Sequence, residues 1–156
     1  MKENAKTNGL IVLGVDGSEG AKAALRFGLD EARLRQATLR VVYTWQFAYV
    51  GSLGFESYSP VAEVDFSELR RAAEGVLDAA LHDSVSDADG VAIERRVVEG
   101  DAATVLVDES RNADLLVVGS RGHGGFAGLL LGSVSQKCAH HAACPVVIVH
   151  ASSGSG

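Results

Sequence analysis

Short apolar segments alternate with longer amphipathic ones along most of the chain. Residues 10–15 read Leu-Ile-Val-Leu-Gly-Val, an apolar run that is typical of a strand buried on both faces of a sheet. Ser18 then predicts the N-cap of a helix, because apolar residues recur at helical spacing from there to about Gln36. A second strand is predicted from Thr38 to Tyr43. The first part of the chain is therefore predicted to be a βαβ unit.

The same alternation continues to the end of the chain. The further predicted elements are a helix over 64–87, a strand over 91–98, a helix over 101–112 with Asp101 as its cap, a strand over 113–119, a helix over 133–142 and a strand over 145–149. Five strands alternating with four helices predict a single-domain, doubly wound α/β fold with helices on both faces of a parallel sheet. Right-handed crossovers predict the strand order 3-2-1-4-5.

Three segments lie outside this alternation. Residues 45–60 contain five aromatic residues, among them Trp45, without helical or strand spacing, so we expect a long loop. It serves as a ligand lid, a partner surface or simply a packed loop. Residues 1–8 are expected to be a flexible N-terminus, 9–150 the folded domain, and 151–156 a disordered Ser/Gly tail.

Composition and charge exclude several classes of partner. Asp and Glu number 20 against 14 Lys and Arg, for a formal charge of −6, which argues against nucleic acid and anionic membranes as partners. No apolar stretch is long enough to span a bilayer or to form a signal peptide. Two cysteines, Cys138 and Cys144, without such a signal fit a reducing compartment, so we expect a cytoplasmic protein.

The predicted topology indicates where a ligand binds. The strand order reverses between the first and fourth strands, so the loops 14–18 and 119–122 are predicted to face one crevice. Ligands of doubly wound sheets bind in such a crevice, at the carboxyl ends of the strands.

The loop after the fourth strand has the composition of an anion site. Six of the fourteen residues from Gly119 to Gly132 are glycine. Glycines let backbone N–H groups converge on an anion, and the helix that begins at Ser133 adds the positive end of its dipole. Phosphate is the natural ligand, although such a loop can also be no more than a flexible connection.

The spacing of the glycines in this loop favours a phosphate site over a flexible connection. It reads Gly119-x-x-Gly122, nine residues, then Gly132-Ser133. This pattern resembles the nucleotide signature of the ATP-binding universal stress proteins. The resemblance covers about residues 9–150 and is carried by four blocks in the family's order: Val15–Ser18, Val117–Gly122, Leu131–Ser135 and Cys144–Val149.

The resemblance implies an ATP site, with magnesium accompanying the nucleotide. Asp16 would lie on the ribose or metal side, Gly14 would permit close approach of the nucleotide, and the base would lie near residues 42–44. The remaining implied site residues hold the triphosphate and ribose or line the same loop: Gly119, Gly122, Gly132, Ser133 and Ser135, with Val118, Ser120, Arg121, His123, Gly124 and Val134 beside them. The resemblance also implies a homodimer through the last strand, Val146–Val149, whose apolar edge would otherwise be exposed.

Other interpretations of these residues compete with the nucleotide site. Asp16 also suits the entry of the first helix as a carboxylate at the positive dipole end. Gly122-x-Gly124-x-x-Ala127 satisfies a lax dinucleotide fingerprint, but no acidic residue follows the next strand to hold a ribose. Arg121 and His123 are either phosphate contacts or solvated loop residues.

A cluster of Cys and His residues near the end of the chain suggests zinc at first sight. Three of its four members lie on one predicted helix, which is unlike a structural zinc site, and Cys138 is better explained as a small core residue. The cluster consists of Cys138, His140, His141 and Cys144.

The function that the resemblance implies is that of an ATP-binding regulatory protein in the stress response. Little or no ATPase activity is expected, because Asp16 is the one acidic residue predicted near the loop. One alternative is an ATP-using enzyme of adenylate transfer; such enzymes commonly carry a Ser-Gly-Gly type loop after the first strand, which is absent here. Another is an interaction module without nucleotide affinity.

Overall fold

The computed structural model describes residues 9–46, 65–82, 84, 90–121 and 131–151. The predicted flexible N-terminus, most of the aromatic loop and all but the first residue of the predicted tail lie outside these ranges.

The described residues form one α/β domain. Its elements, in chain order, are β1 (Leu10–Val15), α1 (Glu19–Arg35), β2 (Thr38–Trp45), α2 (Phe66–His82), β3 (Ile93–Glu99), α3 (Ala102–Ser110), β4 (Leu115–Gly119), α4 (Ser133–His141) and β5 (Val146–Val149). All strand pairs are parallel and the order is β3-β2-β1-β4-β5, so the predicted fold and topology are confirmed. No helix within the described ranges is long and apolar enough to cross a bilayer.

Two element boundaries differ from the predicted ones for identifiable reasons. Helix α2 ends at His82, five residues before the predicted end, because the Ser84 N–H donates to the Leu81 carbonyl in a turn at 3.0 Å. Strand β2 extends to Trp45, which was expected in the loop; Trp45 pairs with Glu99 of β3, and its carbonyl accepts from the Gly100 N–H at 2.8 Å. The other boundaries match the predicted ones or differ by one or two residues.

The two predicted helix caps are confirmed. Ser18 precedes α1 in an extended conformation, and its side chain accepts a hydrogen bond from the Ala21 N–H at 3.2 Å. Asp101 does the same for α3, accepting from the Thr104 N–H at 3.0 Å. Each cap satisfies one of the N–H groups that lack an acceptor inside the helix.

Apolar side chains of each central strand alternate between two cores. Ile11 and Leu13 of β1 pack on the side of the sheet that α1 and α2 cover, together with Leu25 and Leu77 from those helices. Val12 points to the opposite side, where α3 and α4 contribute the other core. This second core comprises Val12, Val42, Leu106, Leu116, Val118 and Cys138. Helices therefore cover both faces, as predicted.

An ion-pair network links the β2–β3 edge of the sheet to α3. Arg40 of β2 contacts Glu94 of β3 at 2.8 Å and Glu109 of α3 at 2.9 Å, and Arg96 contacts Glu109 at 2.9 Å. The Arg40 and Glu109 side chains are 20% and 14% exposed, respectively, so these ions are only partly hydrated. The network adds polar contacts between α3 and the edge strands β2 and β3.

Candidate functional site

The backbones of the first helical turn of α1 and the exit of β4 lie in direct contact. A Cβ atom added to Gly119 would lie 3.2 Å from the carbonyl carbon and oxygen of Gly20, and one added to Gly20 would lie 2.8 Å from the carbonyl oxygen of Arg121. The strands β1 and β4 are neighbours in the sheet, with Leu13 paired to Val117. The two loops predicted to share the switch-point crevice are therefore brought together as the topology requires.

The loop after β1 forms a tight turn around Asp16. One carboxylate oxygen of Asp16 accepts a hydrogen bond from the Ser18 N–H at 2.9 Å, and Gly17 between them has a φ of +82°, a conformation that favours glycine. Asp16 thus orders the entry of α1, which confirms its interpretation as a helix-entry carboxylate. Its contact with ribose or metal stays a prediction, because one side chain can do both.

Ser120, the first residue after β4, forms hydrogen bonds through both its N–H and its carbonyl group. Its N–H donates to the carbonyl of Val149 in β5 at 2.9 Å. Its carbonyl accepts from the N–H of Gly132 at 2.6 Å and from the hydroxyl of Ser135 at 2.9 Å. Ser120 and Ser135 are 5% and 2% exposed. Ser120 and Gly132, which lie near the two ends of the glycine signature, are therefore joined by a direct hydrogen bond.

Helix α4 begins without a side-chain cap. Gly132 occupies the N-cap position in an extended conformation with φ −74° and ψ 173°, and it has no side chain with which to cap the helix. The first intrahelical bond runs from the Gln136 N–H to the Gly132 carbonyl at 3.0 Å. In α1 and α3, by contrast, Ser18 and Asp101 supply the cap. The Gly132 N–H donates to the carbonyl of Ser120, so the positive dipole end of α4 lies beside the exit of β4.

Three of the predicted site residues pack inside the protein, which the sequence did not reveal. Gly14 is packed against α3, because a Cβ at this position would lie 2.6 Å from a methyl carbon of Leu106. This contact alone explains the glycine. Val118 is 3% exposed, and Val134 packs against the same α3–α4 core, so their side chains belong to the core.

The other predicted residues divide into exposed and undescribed ones. Arg121 and Ser133 are exposed at the edge of the crevice, with Ser133 as the first residue of α4. Gly122, His123 and Gly124 lie outside the described residues. The structure brings together Gly119, Ser120, Arg121, Gly132 and Ser135, and it places Ser133 directly beside them.

Gly20 is the residue of this region that the sequence interpretation missed. It occupies the first turn of α1, where glycine is less favourable than alanine, and its close approach to Arg121 explains why it is tolerated. A glycine directly after a cap and an acidic residue was therefore a detectable sign of close packing.

A cavity of about 360 Å³ lies between α1 and α2. Val15, Ala21 and Leu25 line one side and Val76 and Ala80 the other. Gly17 and Ser18, from the loop after β1, also line it, so the cavity adjoins the crevice on the side of α1.

The cysteine and histidine residues near the end of the chain do not form a cluster. Cys138 is fully buried, as expected for a core residue, and burial raises the pKa of its thiol to about 11. His140 and His141 are exposed. Among the described residues, no three His, Cys, Asp or Glu side chains are placed to hold a metal ion together.

The fold and this crevice define a doubly wound α/β protein with a helix that begins after a glycine N-cap at its switch point. The family model of the universal stress protein family matches residues 8–150. The chain belongs to this family.

Comparison with known proteins agrees with this membership. Universal stress protein Rv2623 of Mycobacterium tuberculosis is 36% identical over 142 residues, which are 91% of this chain and 45% of that protein. The chain thus spans less than half the length of this relative.

Solved structures of the family share the fold over nearly the whole chain. Universal stress protein UspA from Lactobacillus plantarum superimposes with a TM-score of 0.73 at 24% identity, covering 94% of this chain and 99% of that one. A universal stress protein in complex with cAMP gives 0.62 at 29% identity, covering 94% and 100%. A family member from Arabidopsis thaliana with AMP bound gives 0.62 at 24%, covering 92% of each chain.

Proposed function

We propose that this protein binds an adenine nucleotide, ATP with Mg²⁺, in the crevice between β1 and β4, and that the bound nucleotide regulates what the protein interacts with. The observation that carries the proposal is the uncapped start of α4, held against the exit of β4 by the carbonyl of Ser120. Backbone N–H groups in this arrangement are suited to phosphate oxygens. The N–H groups of Ser133 and Val134 and the hydroxyl of Ser133 are the donors that would hold the phosphates.

Two further observations support an adenine nucleotide as the ligand. The glycine spacing of the family signature is intact from Gly119 to Ser133. A structure 29% identical to this chain is a complex with cAMP. Asp16, in the loop that leads into α1, would contribute a carboxylate toward the ribose or the metal while its bond to Ser18 keeps the turn in place.

Regulation rather than turnover is the role that we propose for the nucleotide. Hydrolysis requires a base or positioning group for the attacking water. No Asp or Glu occurs between Gly119 and Ser135, and the carboxylate of Asp16 accepts the N–H of Ser18. ATP hydrolysis is therefore expected to be slow or undetectable. An enzyme of adenylate transfer is the alternative, and multiple turnovers with a co-substrate would favour it.

We also propose that the protein forms a homodimer through β5 and acts in the cytoplasm. β5 is the last strand of the sheet and pairs with β4, so among the described strands its other edge is open to a second copy. Val146, Val147, Ile148 and Val149 are all half-buried and apolar. Cys138 and Cys144 are free thiols, which fits a reducing compartment.

The experiment that tests nucleotide binding is the thermal unfolding midpoint of nucleotide-free protein with millimolar Mg-ATP and, separately, Mg-GTP. At about 100 times the dissociation constant, a ligand stabilises the folded state by about 2.7 kcal/mol, which raises the midpoint of a domain of this size by several degrees. A rise with ATP that GTP does not produce is expected. No rise with ATP would contradict the proposal and favour an interaction module.

A further inference from the structure

We propose that Ser135 is a positioning residue for the nucleotide site: its buried hydroxyl fixes the start of α4 relative to β4 instead of contacting the ligand. The inference rests on the proposed function and concerns how the same site is assembled. The hydroxyl donates to the Ser120 carbonyl at 2.9 Å, and the Gly132 carbonyl lies within hydrogen-bond distance at 3.0 Å. Both acceptors belong to the backbone of the protein itself.

Burial separates the role of Ser135 from that of Ser133. Ser135 is 2% exposed, whereas Ser133, two residues earlier on the same helix, is exposed. Successive helical residues point in different directions, so one of the two serines faces the crevice and the other faces the β4 exit. The hydroxyl of Ser135 has one proton, and two backbone carbonyls already compete for it.

The contact acts on the N–H groups that receive the anion. The Gly132 N–H and the Ser135 hydroxyl both donate to the carbonyl of Ser120, one from just before α4 and one from its first turn. Two donors on one acceptor restrict the tilt of the helix as well as its distance from the strand. With Ser135 removed, only the Gly132 bond remains, and the N–H groups of Ser133 and Val134 lose part of their fixed direction. Preorganised donors bind more tightly because less ordering is needed on binding.

The test compares Ser135→Ala with Ser110→Ala by calorimetric titration of Mg-ATP, at a temperature where both variants are folded. Ser110 is a matched control because it is fully buried, donates to the Val107 carbonyl and accepts from the Ala143 N–H at 2.9 Å, on the far side of α3. Ser135→Ala is expected to weaken Mg-ATP binding about fivefold, in line with one buried hydrogen bond, while Ser110→Ala stays within about twofold of the parent. Equal affinities of Ser135→Ala and the parent, or equal losses in both variants, would overturn the proposal.

A second measurement distinguishes positioning from ligand contact. Amide hydrogen exchange of Gly132 in the nucleotide-free protein is expected to be about fivefold faster in Ser135→Ala, because the neighbouring bond to Ser120 is lost before any ligand is present. Unchanged Gly132 exchange together with weakened binding would mean that Ser135 contacts the nucleotide, and the proposal would fail.

Ser135→Cys tests the hydroxyl at nearly constant side-chain size and serves if the alanine variant does not fold. A thiol is a weak donor, so this variant is expected to bind Mg-ATP as weakly as Ser135→Ala. Parent-like binding by the cysteine variant would show that volume matters and not the hydrogen bond. A parent protein that binds no nucleotide would instead refute the proposed function itself, which is a different outcome from any of these.

Discussion

Gly20 and Gly119 pack backbone against backbone, with the Cβ position of Gly119 only 3.2 Å from the Gly20 carbonyl group. A Cβ atom added to Gly20 would in turn lie 2.8 Å from the carbonyl oxygen of Arg121. The first turn of α1 and the exit of β4 therefore form one wall of the crevice, and their spacing depends on the absence of a side chain at either glycine.

Gly20→Ala is expected to destabilise the fold and weaken nucleotide binding. Alanine is the better helix former, but its Cβ would meet the backbone of Arg121, which must move by a few tenths of an ångström or more. We expect a loss of about 1–3 kcal/mol, as for other overpacking changes, and a weaker response to Mg-ATP. Thermal unfolding with and without Mg-ATP measures both effects.

Gly75→Ala is the matched control for this change. Gly75 also lies within a helix, but nothing lies within 4 Å of its Cβ position. The same substitution there is expected to raise stability by about 0.5–1 kcal/mol through helix propensity alone. If both variants were stabilised, the close contact at Gly20 would have no energetic consequence.

Much of the fold could be predicted because its signals are local. Apolar runs such as residues 10–15 and caps such as Ser18 revealed the alternating strands and helices, and the rule of right-handed crossovers then predicted the strand order. The contacts of Gly14 with Leu106, of Gly20 with Arg121 and of Ser135 with Ser120 join segments that are distant in sequence. Neither hydrophobic periodicity nor helix and strand propensity predicts such a contact, because the contact depends on how packed elements approach one another.

The end of α2 illustrates the same limit on a smaller scale. Helical spacing predicted that the helix would continue to residue 87, and the turn bond from Ser84 to Leu81 ends it at His82. In the site, spacing selected Gly119, Gly132 and Ser133, which the structure places near one another. It did not reveal that the side chains of Val118 and Val134, which were selected with them, pack in the core.

The cap of α3 predicts a defined pH dependence. The N–H and hydroxyl of Thr104 donate to the carboxylate of Asp101 at 3.0 and 2.9 Å, and these bonds hold the pKa of Asp101 below its ordinary value of 3.8. Because the folded-state pKa is lowered, the stabilisation is present above pH 3.8 and is lost as the pH falls through the lowered pKa.

Asp101→Ala is therefore expected to cost about 1 kcal/mol at pH 7, or about 2–4 °C in the unfolding midpoint. The difference from the parent protein should shrink when both are measured near pH 3. Asp108→Ala, an exposed change within the same helix, is expected to stay within about 0.5 kcal/mol of the parent. If the loss of stability in Asp101→Ala did not change with pH, the stabilisation would not come from a charged Asp101 cap.

The open edge of β5 gives a direct test of the proposed dimer. The carbonyls of Pro145 and Val149 accept hydrogen bonds from the N–H groups of Leu116 and Ser120, both at 2.9 Å. The N–H and C=O groups of Ile148, one residue before Val149, therefore point to the opposite edge. Ile148→Pro removes an outward N–H without removing a bond to β4.

Sedimentation at micromolar concentration is expected to show that the parent protein is a dimer and that the Ile148→Pro variant is a monomer. Ile148→Ala provides the control, because it loses the packed side chain and keeps the N–H. A monomeric parent, or a proline variant that still dimerises, would refute pairing through this edge.

The most direct test of the central claim, that the N–H groups at the start of α4 hold the nucleotide phosphates, is the affinity of Ser133→Pro for Mg-ATP by titration calorimetry. Proline is well tolerated at the first helical position, and Gly132, with φ −74° and ψ 173°, already has the conformation required before proline. The variant should fold normally while losing the N–H and hydroxyl of Ser133. Ser133→Ala, which loses only the hydroxyl, separates the two donors.

We predict that Ser133→Pro binds Mg-ATP at least about tenfold more weakly than the parent, as expected for loss of a hydrogen bond to a charged group, and more weakly than Ser133→Ala. A folded Ser133→Pro protein with the affinity of the parent would contradict the claim that the start of α4 is the phosphate site.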